Sequence, residues 1–284
     1  MGITVAIMAQ GMMGAGVGRR LHERGAVVRT LLSGRSAASA KRAETAGMQP
    51  AADERDLLQG ADFFLSILPP DQAEGLASRL APALQSLPVK PVYVDCNAIS
   101  PQTAQRVAAI VEPTGAAFVD GGIIGGPPRE GYSPAIYASG PQAERTAPIK
   151  DYGIDWRIID GPVGAASGLK MSYAGITKGT TAIAAAMLLG AARFGCGEAL
   201  IAELSKSQPE MLKRMRGSIP GMYDKAYRWV GEMEEISDFL EASAPSSAMY
   251  AAIAKLYDDL AAAQAEAEPG DDNAIKTLDR VLGR

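Results

Sequence analysis

From Thr4 to Ile159 short apolar runs alternate with helix-compatible segments, and this alternation marks strands that pair in parallel with helices crossing over between them. The runs Thr4–Met8, Val27–Leu32, Asp62–Ile67, Val92–Asp95, Ala117–Asp120, Pro134–Ala138 and Trp156–Ile159 read as strands. Nearly continuous apolar stretches such as Phe63-Phe64-Leu65-Ser66-Ile67 suit strands covered on both faces. Met12–Arg24, Ala37–Ala46 and Pro101–Val111 read as helices between them. Beyond Gly161-Pro162 the strands stop, and long segments rich in Ala, Leu, Met, Glu and Lys take over. The chain is therefore expected to hold an α/β domain over residues 1–162 and an all-α domain over 163–284. Glu266–Asp272 reads as a loop before a short terminal helix.

The bulk properties exclude several classes. The 284 residues suffice for two domains with cores of their own, and 47% hydrophobic content with a mean hydropathy of +0.01 fits a globular chain. A net charge of −4 gives no general reason to expect a nucleic-acid or anionic-membrane partner. Cys96 and Cys196 are too few for a disulfide framework, and with His22 as the single histidine no metal set is expected. His22 lies away from the motifs below and reads as a surface residue. The N-terminus enters a strand without a basic leader, and the apolar stretch Ala182–Ala192 is too short to span a bilayer. A cytoplasmic protein is expected.

The first strand runs into Ala9-Gln10-Gly11-Met12-Met13-Gly14-Ala15-Gly16, a variant of G-x-G-x-x-G with alanine at its first position. Gly11 would let the backbone approach a pyrophosphate, Gly14 would let the helix pack on the strand, and the helix N-terminus would hold the diphosphate. Alanine in place of the first glycine should change the turn only modestly. Met12 and Met13 read as packing residues beside the cofactor. Placed between a first strand and a helix, the motif identifies the α/β domain as a Rossmann-type dinucleotide-binding domain. An acid at the end of the second strand would hold the ribose 2′-hydroxyl of NAD, yet no Asp or Glu occurs from Ala26 to Ala43. Arg35 can pair with a 2′-phosphate, and Ser33 and Ser36 can donate to it. NADP is the expected cofactor. The expected cofactor contacts are Gly11, Met12, Met13, Gly14, Ser33, Arg35, Ser36, Leu68, Pro69 and Asn97.

Four motifs in order resemble the β-hydroxyacid dehydrogenase superfamily, which includes 3-hydroxyisobutyrate and 6-phosphogluconate dehydrogenases and the related imine reductases. The glycine-rich turn is the first. Asp95-Cys96-Asn97-Ala98-Ile99-Ser100-Pro101 is similar to D-x-S-T-x-x-P, and Asp120-Gly121-Gly122-Ile123-Ile124-Gly125-Gly126 to D-A-P-V-S-G-G. Gly164-Ala165-Ala166-Ser167-Gly168-Leu169-Lys170 resembles G-x-G-x-x-x-K, which carries the family's catalytic lysine. Arg228–Ile236 resembles a poorly characterised branch with its own C-terminal domain.

The resemblance implies a small-molecule substrate, hydride transfer with Lys170 as general acid/base, and a homodimer formed through the C-terminal domains. An ammonium can give a proton to a carbonyl oxygen and stabilise the oxyanion, and partial burial at a domain cleft would lower its pKa into a useful range. Asn97, at the serine of D-x-S-T, can bond the substrate or the nicotinamide carboxamide. Gly125 and Gly126 can approach a substrate closely, although Ile124 replaces the serine of S-G-G. The family asparagine after the lysine is missing; Tyr173 and Thr177, near the same helix face, either replace its hydrogen bond or simply pack. The family K-D-L motif has no clear match, and Glu232, Glu234 and Glu235 stand in that region. One of them facing the ligand would favour a polyol or amine; otherwise the three are a solvated face. Alcohol or hydroxyacid oxidation and carbonyl reduction lead the readings. Imine reduction on the same fold, and a catalytically silent NADP-binding redox sensor, remain the alternatives.

Overall fold

The computed structural model describes residues 2–265 and 273–284; the predicted loop Glu266–Asp272 lies outside them. The chain divides into two compact units, Met1–Met171 and Ser172–Arg284.

In the first unit eight strands form one sheet: β1 (Thr4–Met8), β2 (Val27–Leu31), β3 (Gln49–Ala51), β4 (Phe63–Ser66), β5 (Val92–Asp95), β6 (Phe118–Ile124), β7 (Ala135–Ser139) and β8 (Asp155–Ile158). Their order is β3-β2-β1-β4-β5-β6-β7-β8. All neighbours are parallel except β6 and β7, which run antiparallel from Asp120↔Ser139 to Ile124↔Ala135. The helices α1 (Met12–Glu23), α2 (Ala37–Thr45), α3 (Glu54–Leu58), α4 (Ala73–Ser86) and α5 (Pro101–Val111) make the crossovers. β1 shows why the apolar runs are continuous: Val5 and Ile7 enter one core, Ala6 and Met8 the other. Alternate residues point to opposite faces, and both faces are covered.

Two sequence readings are corrected. β3 is an added edge strand whose Gln-Pro-Ala is too short to announce itself, and proline is tolerated at such an edge. β6 does not stop at Asp120 but runs on to Ile124, because β7 returns beside it and pairs with the whole glycine-containing segment.

Helix α6 (Ala165–Arg193) begins in the first unit and continues into the second. The second unit also holds α7 (Gly197–Ser207), α8 (Pro209–Ser218), α9 (Ala226–Phe239), α10 (Ala244–Ala265) and α11 (Ala274–Leu282). Met233 and Ile236 of α9 and Ile253, Ala254 and Tyr257 of α10 are buried. The apolar stretch Ala182–Ala192 thus belongs to a 29-residue helix, which is long and apolar enough to cross a membrane by length and composition, and 44% of whose most apolar window is buried inside the protein. Its other side is exposed: Tyr173, Ile176, Ile183 and Met187 are each more than half accessible, at 52–69%.

Candidate active site

The carboxyl ends of β1, β4, β5 and β6 carry the motifs. After β1 the chain turns through Gln10 and Gly11 into α1, with Gly11 as the N-cap residue and no side chain capping the helix. The first-turn N–H groups of α1 are therefore left for another acceptor, and no acid stands in that turn to compete for them. A Cβ on Gly11 would meet nothing within 4 Å, so its backbone is open to approach. A Cβ on Gly14 would lie 1.8 Å from the Ala9 carbonyl oxygen, so only glycine lets α1 sit this close to the turn. Gln10 is fully buried; its amide donates to the Leu31 carbonyl at 2.9 Å and to Thr30 Oγ1, tying the turn to β2. Its Oε1 is buried without a partner. An open glycine, an uncapped helix start and an orphaned acceptor together suit a dinucleotide.

The end of β2 is more exposed. Ser33 and Ser36 are accessible, and Ser36 caps α2 by accepting from Ser39 N at 3.2 Å. Arg35 is half-buried and lines a cavity with Leu68, Gln72 and Arg79. Met12 is exposed and Met13 packs partly on the core, so the two methionines do different things. Pro69 follows Leu68 just before the 3-10 turn Pro70–Gln72.

At the end of β5, Asn97 is 2% exposed and fully engaged. Its Oδ1 accepts from Leu68 N, and its Nδ2 donates to Ser66 Oγ at 2.9 Å and Asp95 Oδ2 at 3.0 Å. Both amide protons thus have partners inside the protein, and Asn97 ties the turn after β4 to the end of β5. Cys96 beside it is buried. Burial first, and the nearby Asp95 and Asp120 carboxylates second, push its thiol well above the ordinary range.

Asp120 on β6 organises the start of α6, a role the sequence reading did not assign. It is fully buried and accepts four hydrogen bonds, from Ser139 Oγ, Gly164 N and Ser167 N at 3.0 Å and from Ser167 Oγ at 2.6 Å. A carboxylate at a helix N-terminus meets both the orphan N–H groups and the favourable end of the dipole. Gly122 lets the helix approach: a Cβ there would lie 2.7 Å from Ala166 O and 3.2 Å from Lys170 Cβ. Asp120 thus holds one end of the first turn, and one turn on the half-buried Lys170 extends its Nζ to donate to the Ile123 carbonyl at 2.7 Å. Just beyond lie Gly125 and Gly126. Gly126 N donates to Tyr132 Oη at 3.2 Å, and a Cβ on Gly125 would lie 2.2 Å from that hydroxyl.

Residues 4–149 match the family model described as the NAD binding domain of 6-phosphogluconate dehydrogenase. The chain belongs to this family. Residues 191–260 match a second model, a domain of unknown function, DUF1932. A protein of Methanothermus fervidus, described only as an uncharacterized 28.5 kDa protein, is 27% identical over 75% of this chain and 81% of its own length. The conserved protein MTH1747, of unknown function and similar in structure to 3-hydroxyacid dehydrogenases, superposes with a TM-score of 0.71 at 29% identity, over 93% of this chain and all of its own. 3-Hydroxyisobutyrate dehydrogenase of Mycobacterium tuberculosis, solved with L-serine, gives 0.74 at 19% identity, over 100% and 99% of the two chains. An imine reductase of Myxococcus stipitatus with NADP+ gives 0.57 at 19% identity, over 99% and 100%. This chain is thus a β-hydroxyacid dehydrogenase superfamily member: an NAD(P)-binding Rossmann domain followed by an all-helical C-terminal region.

The positions that depart from the family pattern lie in both units, Ala9, Asn97 and Ile124 in the first and Tyr173 in the second. Tyr173 is half exposed, and Thr177 Oγ1 donates to the Tyr173 carbonyl at 2.8 Å, so that hydroxyl proton serves its own helix. Glu232 of α9 forms a hydrogen-bonded ion pair with Lys178, both side chains largely buried. The Lys178 ammonium also lies 5.0 Å from the Trp229 ring centroid. Tyr257 packs edge-on to Trp229 and donates to the Lys178 carbonyl at 2.6 Å; burial, and then Glu232, raise its hydroxyl's pKa. Glu232 is therefore a partner within the helical unit, neither a solvated charge nor an uncommitted one. Glu234 is exposed, and Glu235 half-buried. The signal for the pair was a lysine eight residues after Lys170, unreadable without knowing which helix faces it.

Proposed function

We propose that this protein is an NADP-dependent oxidoreductase that moves hydride between nicotinamide and a small hydroxyacid, polyol or carbonyl substrate, with Lys170 as the general acid/base. The observation that carries the reading is the placement of Lys170 Nζ on the Ile123 carbonyl at the end of β6, beside Gly125 and Gly126. Bound at the glycine turn, the nicotinamide coenzyme supplies the hydride acceptor or donor. The chain supplies the rest. Gly11, Gly14 and the start of α1 receive the diphosphate. Arg35, with Ser33 and no acid from Ala26 to Ala43, favours a 2′-phosphate over a bare 2′-hydroxyl. Gly126, where a Cβ would meet nothing within 4 Å, gives a substrate close access to the backbone beside Gly125. Lys170 exchanges its bond to Ile123 O for one to the substrate oxygen, giving that oxygen a proton in reduction and taking it back in oxidation.

The region 163–284 serves in this reading as the substrate and dimerisation domain, with Tyr173 as the substrate contact that stands in for the family asparagine. The exposed apolar side chains Ile176, Ile183 and Met187 of α6 are the surface that a second copy covers. The protein works in the cytoplasm.

The test is consumption of NADPH, against NADH, with a panel of aldehydes, ketoacids and cyclic imines. Turnover with a carbonyl compound and NADPH is the expected result. Turnover with imines alone would move the protein to imine reduction. Tight NADPH binding without turnover of any compound would leave the redox sensor.

A further inference from the structure

The cavity at the end of β2 contains a second guanidinium. Its volume is about 280 Å³, and Arg35 from the β2 turn meets Arg79 from α4 there, with Leu68, Asp71, Gln72, Gly75 and Leu76 also in the lining. β2 and β4 lie on either side of β1 in the sheet, so the cavity lies between the loops that flank the glycine turn, where parallel sheets of this kind bind nucleotides. Among the described residues the Arg35 guanidinium has no protein hydrogen-bond or ion-pair partner. Arg79 is held from one side: its Nε faces Glu54 Oε1 at 3.4 Å, and its Nη2 approaches Met8 Sδ at 3.9 Å. A guanidinium has five N–H donors, so this anchoring orients Arg79 and leaves donors over. Asp71, the acid in the lining, accepts hydrogen bonds and suits the exocyclic amine of a purine. Two guanidinia, one amide and one carboxylate match an adenosine that carries an additional phosphate.

We infer that Arg79 is a second specificity-determining residue for the cofactor, sharing the adenosine 2′-phosphate with Arg35. The inference rests on the NADP reading above and deepens it. Discrimination between NADPH and NADH then belongs to two arginines on different elements, and removing Arg35 alone leaves a residual preference. Arg79 carries no motif signal in the sequence, since it comes from α4 and lies more than forty positions after Arg35.

The experiment titrates 2′,5′-ADP and 5′-ADP, which probe the adenosine end without any chemistry, into wild type, Arg35→Ala, Arg79→Ala, the double variant and Glu54→Gln. Calorimetry at fixed ionic strength gives the affinities, and thermal melts confirm folding. Wild type should prefer 2′,5′-ADP. Arg79→Ala should lower that affinity about tenfold, the lower end for a charge-assisted bond to a half-exposed group, while 5′-ADP changes less than threefold. Arg35→Ala should retain part of the preference, and the double variant should lose it. Glu54→Gln keeps an oxygen acceptor beside Arg79 Nε and removes only the charge, so it should stay within threefold of wild type for both ligands. The inference is overturned if Arg79→Ala leaves 2′,5′-ADP binding unchanged, or weakens both ligands equally, which would make Arg79 a contact to the base. It is also overturned if Glu54→Gln reproduces the loss, which would trace it to the ion pair. Equal wild-type affinities for the two ligands would instead overturn the NADP reading itself, and this inference with it.

Discussion

The two units of this chain handle buried polarity differently. In Met1–Met171 the buried carboxylate Asp120 is satisfied by two backbone N–H groups and two serines, and Asn97 locks two strand ends together. Asp120's partners are backbone N–H groups and serine hydroxyls, and those of Asn97 are Leu68 N, Ser66 and the Asp95 carboxylate, all on short side chains or backbone. In Ser172–Arg284 the buried polar pair is Lys178 with Glu232, two long charged side chains boxed by Trp229 and Tyr257. The first network fixes backbone at the strand ends and at the start of α6, and the second joins α6 to α9 and α10.

Four variants would break or sharpen that contrast. The largest effect is expected at Asp120, because Asp120→Ala strands four buried donors at once. A loss of roughly 3–5 kcal/mol is expected, in line with removing one partner of a buried charged network, and urea denaturation measures it. A loss below about 1 kcal/mol would show that α6 does not depend on this carboxylate. Glu232→Ala should cost less, about 2 kcal/mol, since the pair it breaks is not fully buried. Lys178→Met with Glu232→Leu should recover most of that loss, because an apolar pair can fill the same space without desolvated charge. A double variant as unstable as the single one would make the pair indispensable, as the Asp120 network is. The smallest effect concerns assembly. Ile183→Asp places a charge on the exposed apolar side of α6 and should weaken a dimer by about tenfold, the worth of one buried aliphatic side chain. Light scattering at micromolar concentration should give a dimer for wild type; a monomeric wild type would remove the assembly proposal.

Most of the first unit was legible in the sequence, since parallel strands buried on both faces leave apolar runs that need no tertiary knowledge to find. β1 and β5 have the bounds the sequence suggested, Thr4–Met8 and Val92–Asp95. β3 escaped because three residues with a proline carry no periodic signal, and the end of β6 escaped because glycine pairs read as loop until β7 is seen beside them. Among the candidate site residues, Gly11 and Gly14 stood out by spacing, and Lys170 by the resemblance of Gly164–Lys170 to the family's lysine motif. Asn97 was visible as a residue, but its amide oxygen accepts from Leu68 N and its Nδ2 donates to Ser66, partners some thirty positions earlier. Asp120 was quoted within a motif yet had no visible partner, since Gly164 and Ser167 lie more than forty positions later. Contacts between elements distant in sequence are what a single chain's pattern leaves out.

The central claim is that Lys170 is the proton donor and acceptor of an NADP-linked reaction. It is tested most directly by comparing single-turnover rates of wild type and Lys170→Ala, with NADPH and the best substrate of the carbonyl panel. Tm and NADPH affinity are measured on both. The account predicts a fall of roughly 10²–10⁴-fold in rate, with folding and NADPH affinity unchanged. A variant that folds, binds NADPH as wild type does and turns over within a few-fold of it would contradict the assignment.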